Sequence, residues 1–153
     1  MKEKSREIWR SVILYGGDIM RSDGLEQEKH YMQHGKVSVY QHSLSVAYMS
    51  LYLARKCRLS LDERSLVRGA LLHDYFLYDW HVPAPEHNLH GFSHAGAALK
   101  NAKRDFEINR LEQDIIEKHM FPLNIRPPKY RESIIVCLAD KLCATKETVM
   151  DRR

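Results

Sequence analysis

The sequence predicts an all-α fold, and three observations carry that prediction. Apolar residues recur every three or four positions through most of the 153-residue chain. No two-residue hairpin turn and no run of strict apolar–polar alternation interrupts them. Gly16-Gly17, Pro122 and the Arg126-Pro127-Pro128 turn stand where helices would stop. About five or six helices are expected. No linker or internal repeat divides the chain, so a single domain over residues 1–153 with one substantial core is expected.

The elements follow in order. Residues 4–15 form a short amphipathic helix, ended by Gly16-Gly17 because such a pair stops helices well. The polar stretch 21–36 reads as loop or a short irregular helix. From Ser38 to about Lys56, Val39, His42, Val46, Met49 and Leu53 mark one face of a long helix. Leu61 to Leu77 is the next, with Ser60 as its N-cap and Asp62 and Glu63 in its first turn. Residues 78–92 hold two prolines and a glycine and read as loop. Ser93 caps a helix through residues 94–106. Leu111, Ile115 and His119 share a face of another, stopped by Pro122 and the Arg126-Pro127-Pro128 turn. Arg131 to Val149 is the last, with Ile134, Val136, Leu138 and Ala139 as apolar surface.

Composition narrows the function classes. Twenty-four Lys and Arg against twenty Asp and Glu leave a formal charge of +4. That favours anionic small molecules but falls short of dedicated nucleic-acid binding. Three cysteines, an odd number, suit reduced thiols rather than a disulfide framework. The apolar run Val12 to Tyr15 is too short for a secretory signal, and no stretch suits a membrane span. A cytoplasmic protein is expected. Histidine is the residue out of line, with nine copies.

Several of those histidines interrupt apolar stripes. His42 shares its face with Val46 and Met49; His73 and Asp74 are embedded in GALLHDYFL; His119 completes the Leu111–Ile115 stripe. Asp140 follows Val136 by one helical turn, with Cys143 next on that face. A charge or imidazole there must lose its water, which costs several kcal/mol without a partner. Singly, each has an ordinary explanation: a hydrogen-bonded core histidine, or an aspartate paired with a Lys or Arg. Together, on four helices, they are satisfied at once by a shared divalent cation, which selects neutral imidazole and ionised carboxylate.

The order His42, His73-Asp74, a His near 90–94, His119 and Asp140 resembles the HD-domain superfamily of metal-dependent phosphohydrolases. YQHSLSVAYMSLYLA, GALLHDYF and LADKLCA carry the likeness, which covers roughly residues 36–147, leaving 1–35 as an N-terminal helix and loop packed on it. The resemblance implies a small stand-alone member with an orthogonal helical bundle around a metal centre. It implies His42, His73, Asp74 and Asp140 as ligands of a first metal. His94 and His119 would hold a second ion, with Asp74 bridging; His90 competes with His94 for its place. Asp74 and His73 would be the catalytic pair. Where the family often has proline after this histidine, the chain has Ala95.

One or two divalent transition metals are implied (Mn, Fe, Co, Ni or Zn, with Mg admissible), and mixed nitrogen and oxygen donors argue against calcium. The implied activity is hydrolysis of a phosphate ester, of a nucleotide or related small metabolite, by a metal-activated hydroxide. Whether the ester is a monoester or a diester stays open. A catalytically weak, metal-containing nucleotide sensor is the alternative. Lys141 and Arg68 are candidates to bind phosphate, although either also reads as an ordinary surface charge. Trp80 and His81, just after the signature helix, could stack on a base or donate to a leaving group, and His34 could approach from the rim. The expected partner is a phosphorylated small molecule, with no membrane and no dedicated nucleic acid; a homo-oligomer is compatible.

Overall fold

The computed structural model describes residues 2–79 and 90–152, with the side chains of 90–93 left aside. Seven helices are present among them: α1 (Lys2–Met20), α2 (Asp23–Glu28), α3 (Val39–Lys56), α4 (Glu63–Leu72), α5 (His90–Asp105), α6 (Arg110–Lys118) and α7 (Arg131–Asp151). The fold is all-α, as expected, apart from a minimal hairpin of β1 (Met32–His34) and β2 (Val37–Ser38). None of the described helices is long and apolar enough to cross a membrane.

Helix α4 is central, packing against α1, α3, α6 and α7. Its Leu66, Val67, Leu71 and Leu72 are buried with Val12 and Ile19 of α1, Val46 and Leu51 of α3, Ile115 of α6 and Val136 of α7. Two glycines allow that closeness. A Cβ at Gly16 would run into the Leu71 side chain, and one at Gly69 would stand 2.6 Å from Ile115 Cδ1. This corrects the expected stop at Gly16-Gly17, since α1 continues four residues beyond Gly16. Gly16 is a contact point with α4, and packing outweighs its poor helix propensity.

Other boundaries shift for local reasons. Ser38 opens α3 with a capping box, its Oγ accepting from Gln41 N while Gln41 Oε1 accepts from Ser38 N. The N-cap of α4 is Asp62 rather than Ser60, accepting from Ser65 N at 3.0 Å. Helix α4 ends at Leu72 rather than Leu77, which adopts a left-handed φ of 59°. Helix α5 begins at His90, ahead of the expected cap Ser93. Asn109 caps α6, accepting from Glu112 N at 2.8 Å. The hairpin is a correction too. Strands of three and two residues are too short to show alternation, and Gly35 turns between them at φ 56°.

Candidate metal centre

Two helix ends aim at one point. His73 is the C-cap of α4 and His119 the C-cap of α6. The last carbonyls of a helix lack intrahelical partners. Each imidazole takes one of them: His73 Nδ1 donates to Ala70 O at 2.6 Å, and His119 Nδ1 to Ile116 O at 2.7 Å. Those bonds place the proton of a neutral ring on Nδ1 and leave each Nε2 lone pair free for the interior. Asp74 follows His73 directly, while α3 brings His42, α5 brings His94 and α7 brings Asp140.

These side chains converge. His42 Nε2 lies 2.8 Å from Asp140 Oδ1 and 3.7 Å from Asp74 Oδ2. His73 Nε2 lies 3.2 Å from Asp74 Oδ2 and 3.4 Å from Asp140 Oδ1. On the other side of Asp74, Oδ1 is 3.3 Å from His94 Nε2 and 3.2 Å from His119 Nε2, which are themselves 2.9 Å apart. Two groups share Asp74, one of His42, His73, Asp74 and Asp140, the other of Asp74, His94 and His119, and a third, of His34, His42 and Glu147, adjoins the first; within each, the donor atoms lie within 4.8 Å of one another. In the two groups that share Asp74, all are buried except Asp140, which is partly so.

Electrostatics separates the two groups. Burial pulls the His42 imidazolium down, but hydrogen bonds to Asp140 and Glu147 outweigh it and raise its pKa to about 9. Burial likewise opposes the charge on His73, yet Asp74 and Asp140 hold it well above the usual histidine value. Burial disfavours ionised Asp74 and Asp140 in turn. Contacts from His73, His119 and His94 to Asp74, and from His42 and His73 to Asp140, keep both carboxyls far below the ordinary range. His119 is pushed down, chiefly by burial, so its ring is neutral at pH 7.

The donor set fits divalent cations on two observations. His73 Nε2 and Asp74 Oδ1 are buried with no hydrogen-bond partner, an arrangement that costs free energy unless something else satisfies them. Two donors each about 2.1 Å from one ion stand about 3.0–3.4 Å apart. The separations of 3.2–3.4 Å about these atoms fall in that interval.

An independent comparison concurs. The family model described as HD domain matches residues 39–145, most of the chain. The chain belongs to the HD domain family. No curated protein and no solved structure matches it. HD domains form a superfamily of metal-dependent phosphohydrolases, and the centre just described lies within the matched span. Two approaches to it come from outside that span: the segment before α3 and the residue Glu147.

The expected site residues divide accordingly. His42, His73, Asp74, His94, His119 and Asp140 are together at the cluster. His90 opens α5, but its side chain lies outside the described residues, as do Trp80 and His81. His34 stands edge-on to His42 with ring centroids 5.6 Å apart. Lys141 is beside the cluster, but its ammonium already donates to His119 O at 3.3 Å. Arg68 is a correction. Its buried guanidinium donates to Asp18 Oδ1 at 2.6 Å and to Tyr15 O, and lies 3.9 Å from Glu112 Oε2. It ties α4 to α1 and approaches α6, with none of the cluster residues among those partners.

Three residues escaped the sequence reading. Glu147 places its two carboxylate oxygens 2.9 and 3.0 Å from His42 Nδ1, orienting that ring from outside. It stands seven residues after Asp140, two turns along the same face, a spacing that could have revealed it. Gln33 Nε2 donates to Asp74 Oδ2 at 2.8 Å. Glu28 is fully buried, with neither carboxyl oxygen hydrogen-bonded. Burial, then the negative charge of Asp74, raises its pKa well above the usual carboxylate range.

Proposed function

We propose that the chain is a hydrolase of small phosphate esters, nucleotides or related anionic metabolites, working with two divalent ions held on either side of Asp74. The observation that carries this reading is the division of labour on that carboxylate. Oδ2 faces His42 and His73, whose group Asp140 completes, while Oδ1 faces His94 and His119. One carboxylate serving two donor sets is the arrangement a bridged pair of cations requires. Divalent ions bound there would supply an acidified water as nucleophile and neutralise charge growing on the phosphoryl oxygens.

The protein's own groups do the rest. His73 and His119 are locked to backbone carbonyls, so their Nε2 atoms are pre-aimed and little reorganisation accompanies binding. Glu147 holds His42 in the same way through Nδ1. His34 on the rim is held neutral, chiefly by its partial burial and by the neighbouring His42. It offers a hydrogen-bonding group without charge where substrate would enter. The test is a panel of nucleotides and sugar phosphates incubated with Mn, Co or Ni, reading released phosphate. Turnover that vanishes on chelation and in Asp74→Asn supports the proposal. Tight metal-dependent nucleotide binding with no phosphate release would instead select the sensor.

A further inference from the structure

Gln33 reaches the cluster from the hairpin that precedes the family-matched span. Its amide nitrogen donates to Asp74 Oδ2 at 2.8 Å. The strand that carries it is tied down twice, by pairing with β2 and by the bond from Val39 N to Tyr31 O at 2.7 Å. The β1 strand also packs against α3 and α7, the helices bearing His42 and Asp140. The amide is therefore a fixed donor.

A free aspartate carboxyl turns readily about its terminal bond, a broad and two-fold torsion. Its two oxygens would then exchange, or both would swing to one side of the cluster. A single N–H donor in a fixed place breaks that equivalence. Oδ2 is held toward His42 and His73, so Oδ1 must face His94 and His119. We propose that Gln33 is a positioning residue that sorts the two oxygens of Asp74 and so keeps this carboxylate in its bridging orientation. This rests on the two-ion reading above.

The consequence is unequal for the two donor sets. Among the described residues, and apart from Asp74, one set keeps three donors, His42, His73 and Asp140, and the other keeps two, His94 and His119. A swinging Asp74 therefore costs the second set more.

The test is Mn titration of the whole chain, with free Mn counted by electron paramagnetic resonance. Wild type, Gln33→Met (similar length, no donor) and Gln33→Asn (donor kept, stem shortened) are compared, and His119→Ala identifies the step belonging to the second set. In Gln33→Met that step should weaken about 10- to 100-fold while the other moves by less than about threefold. The metal-free melting temperature should stay near wild type. Two unchanged steps, or two steps weakened equally, would overturn the proposal, because a merely structural role gives no such split. If Gln33→Met does not fold, Gln33→Leu, which also lacks the donor, decides by the same criterion. Wild-type protein that binds fewer than two ions would overturn the two-ion reading itself, and the proposal with it; that result appears before any Gln33 variant is examined.

Discussion

The His42–His73–Asp140 side of the cluster and the His94–His119 side share Asp74 but differ in what they hold without a metal. On the first side carboxylates outnumber what neutral rings can satisfy, and both imidazoles are driven to carry protons. On the second side two imidazoles face one oxygen, and His119 stays neutral. The first side is filled with protons that a cation must displace. The second is closer to a ready-made nitrogen site that depends on a borrowed carboxylate. The number of carboxylates that face the rings creates this difference: Asp74, Asp140 and Glu147 on the first side, Asp74 on the second.

Removing the shared group should have the largest effect. Asp74→Asn should lower turnover by on the order of 10³-fold or more, since both sides lose their common charge. Steady-state phosphate release measures it. Next, His119→Ala and Asp140→Ala should each remove one bound ion and leave the other, on opposite sides. Metal counting by inductively coupled plasma mass spectrometry checks this, and identical losses in the two variants would erase the distinction. Glu147→Gln should weaken only the first side, by about 10- to 100-fold, because an amide orients His42 without its charge; calorimetric titration with Mn reads that out.

Acidity separates the sides more gently. Below pH about 9 His42 carries a proton that binding must expel, so affinity on the first side should rise with pH and level off above that value. The second side should respond less near neutrality. Metal-free protein shows the opposite sign. The folded pKa of His42 is raised from 6.5 to about 9, so the stability it contributes is present below pH 6.5 and lost as pH rises to about 9. Chemical denaturation of chelated protein across that window tests it. The smallest effect concerns packing alone. Gly69→Ala should cost about 1–3 kcal/mol through the clash with Ile115 and move neither side preferentially.

The cluster was legible in the sequence where polar residues broke apolar stripes, as His42, His73, Asp74, His119 and Asp140 do. Each sits where helical spacing demands a hydrophobe, so its presence needed an explanation. Glu28 gave no such signal. It lies in DGLEQEKH, which looks solvated, and its burial comes from tertiary contacts that no local pattern records. Gln33 was hidden by a hairpin too short to show a period. Gly16 misled for a related reason: its propensity pointed to a helix end, while the approach of Leu71 required a glycine inside the helix. Local chemistry thus pointed to the groups that a metal would use, but not to those that hold them in place.

The most direct test of the two-sided centre is anomalous scattering from crystals grown with Mn. Two peaks are expected flanking Asp74, one among His42, His73 and Asp140 and the other beside His94 and His119. A single peak, or peaks away from Asp74, would contradict the two-sided centre.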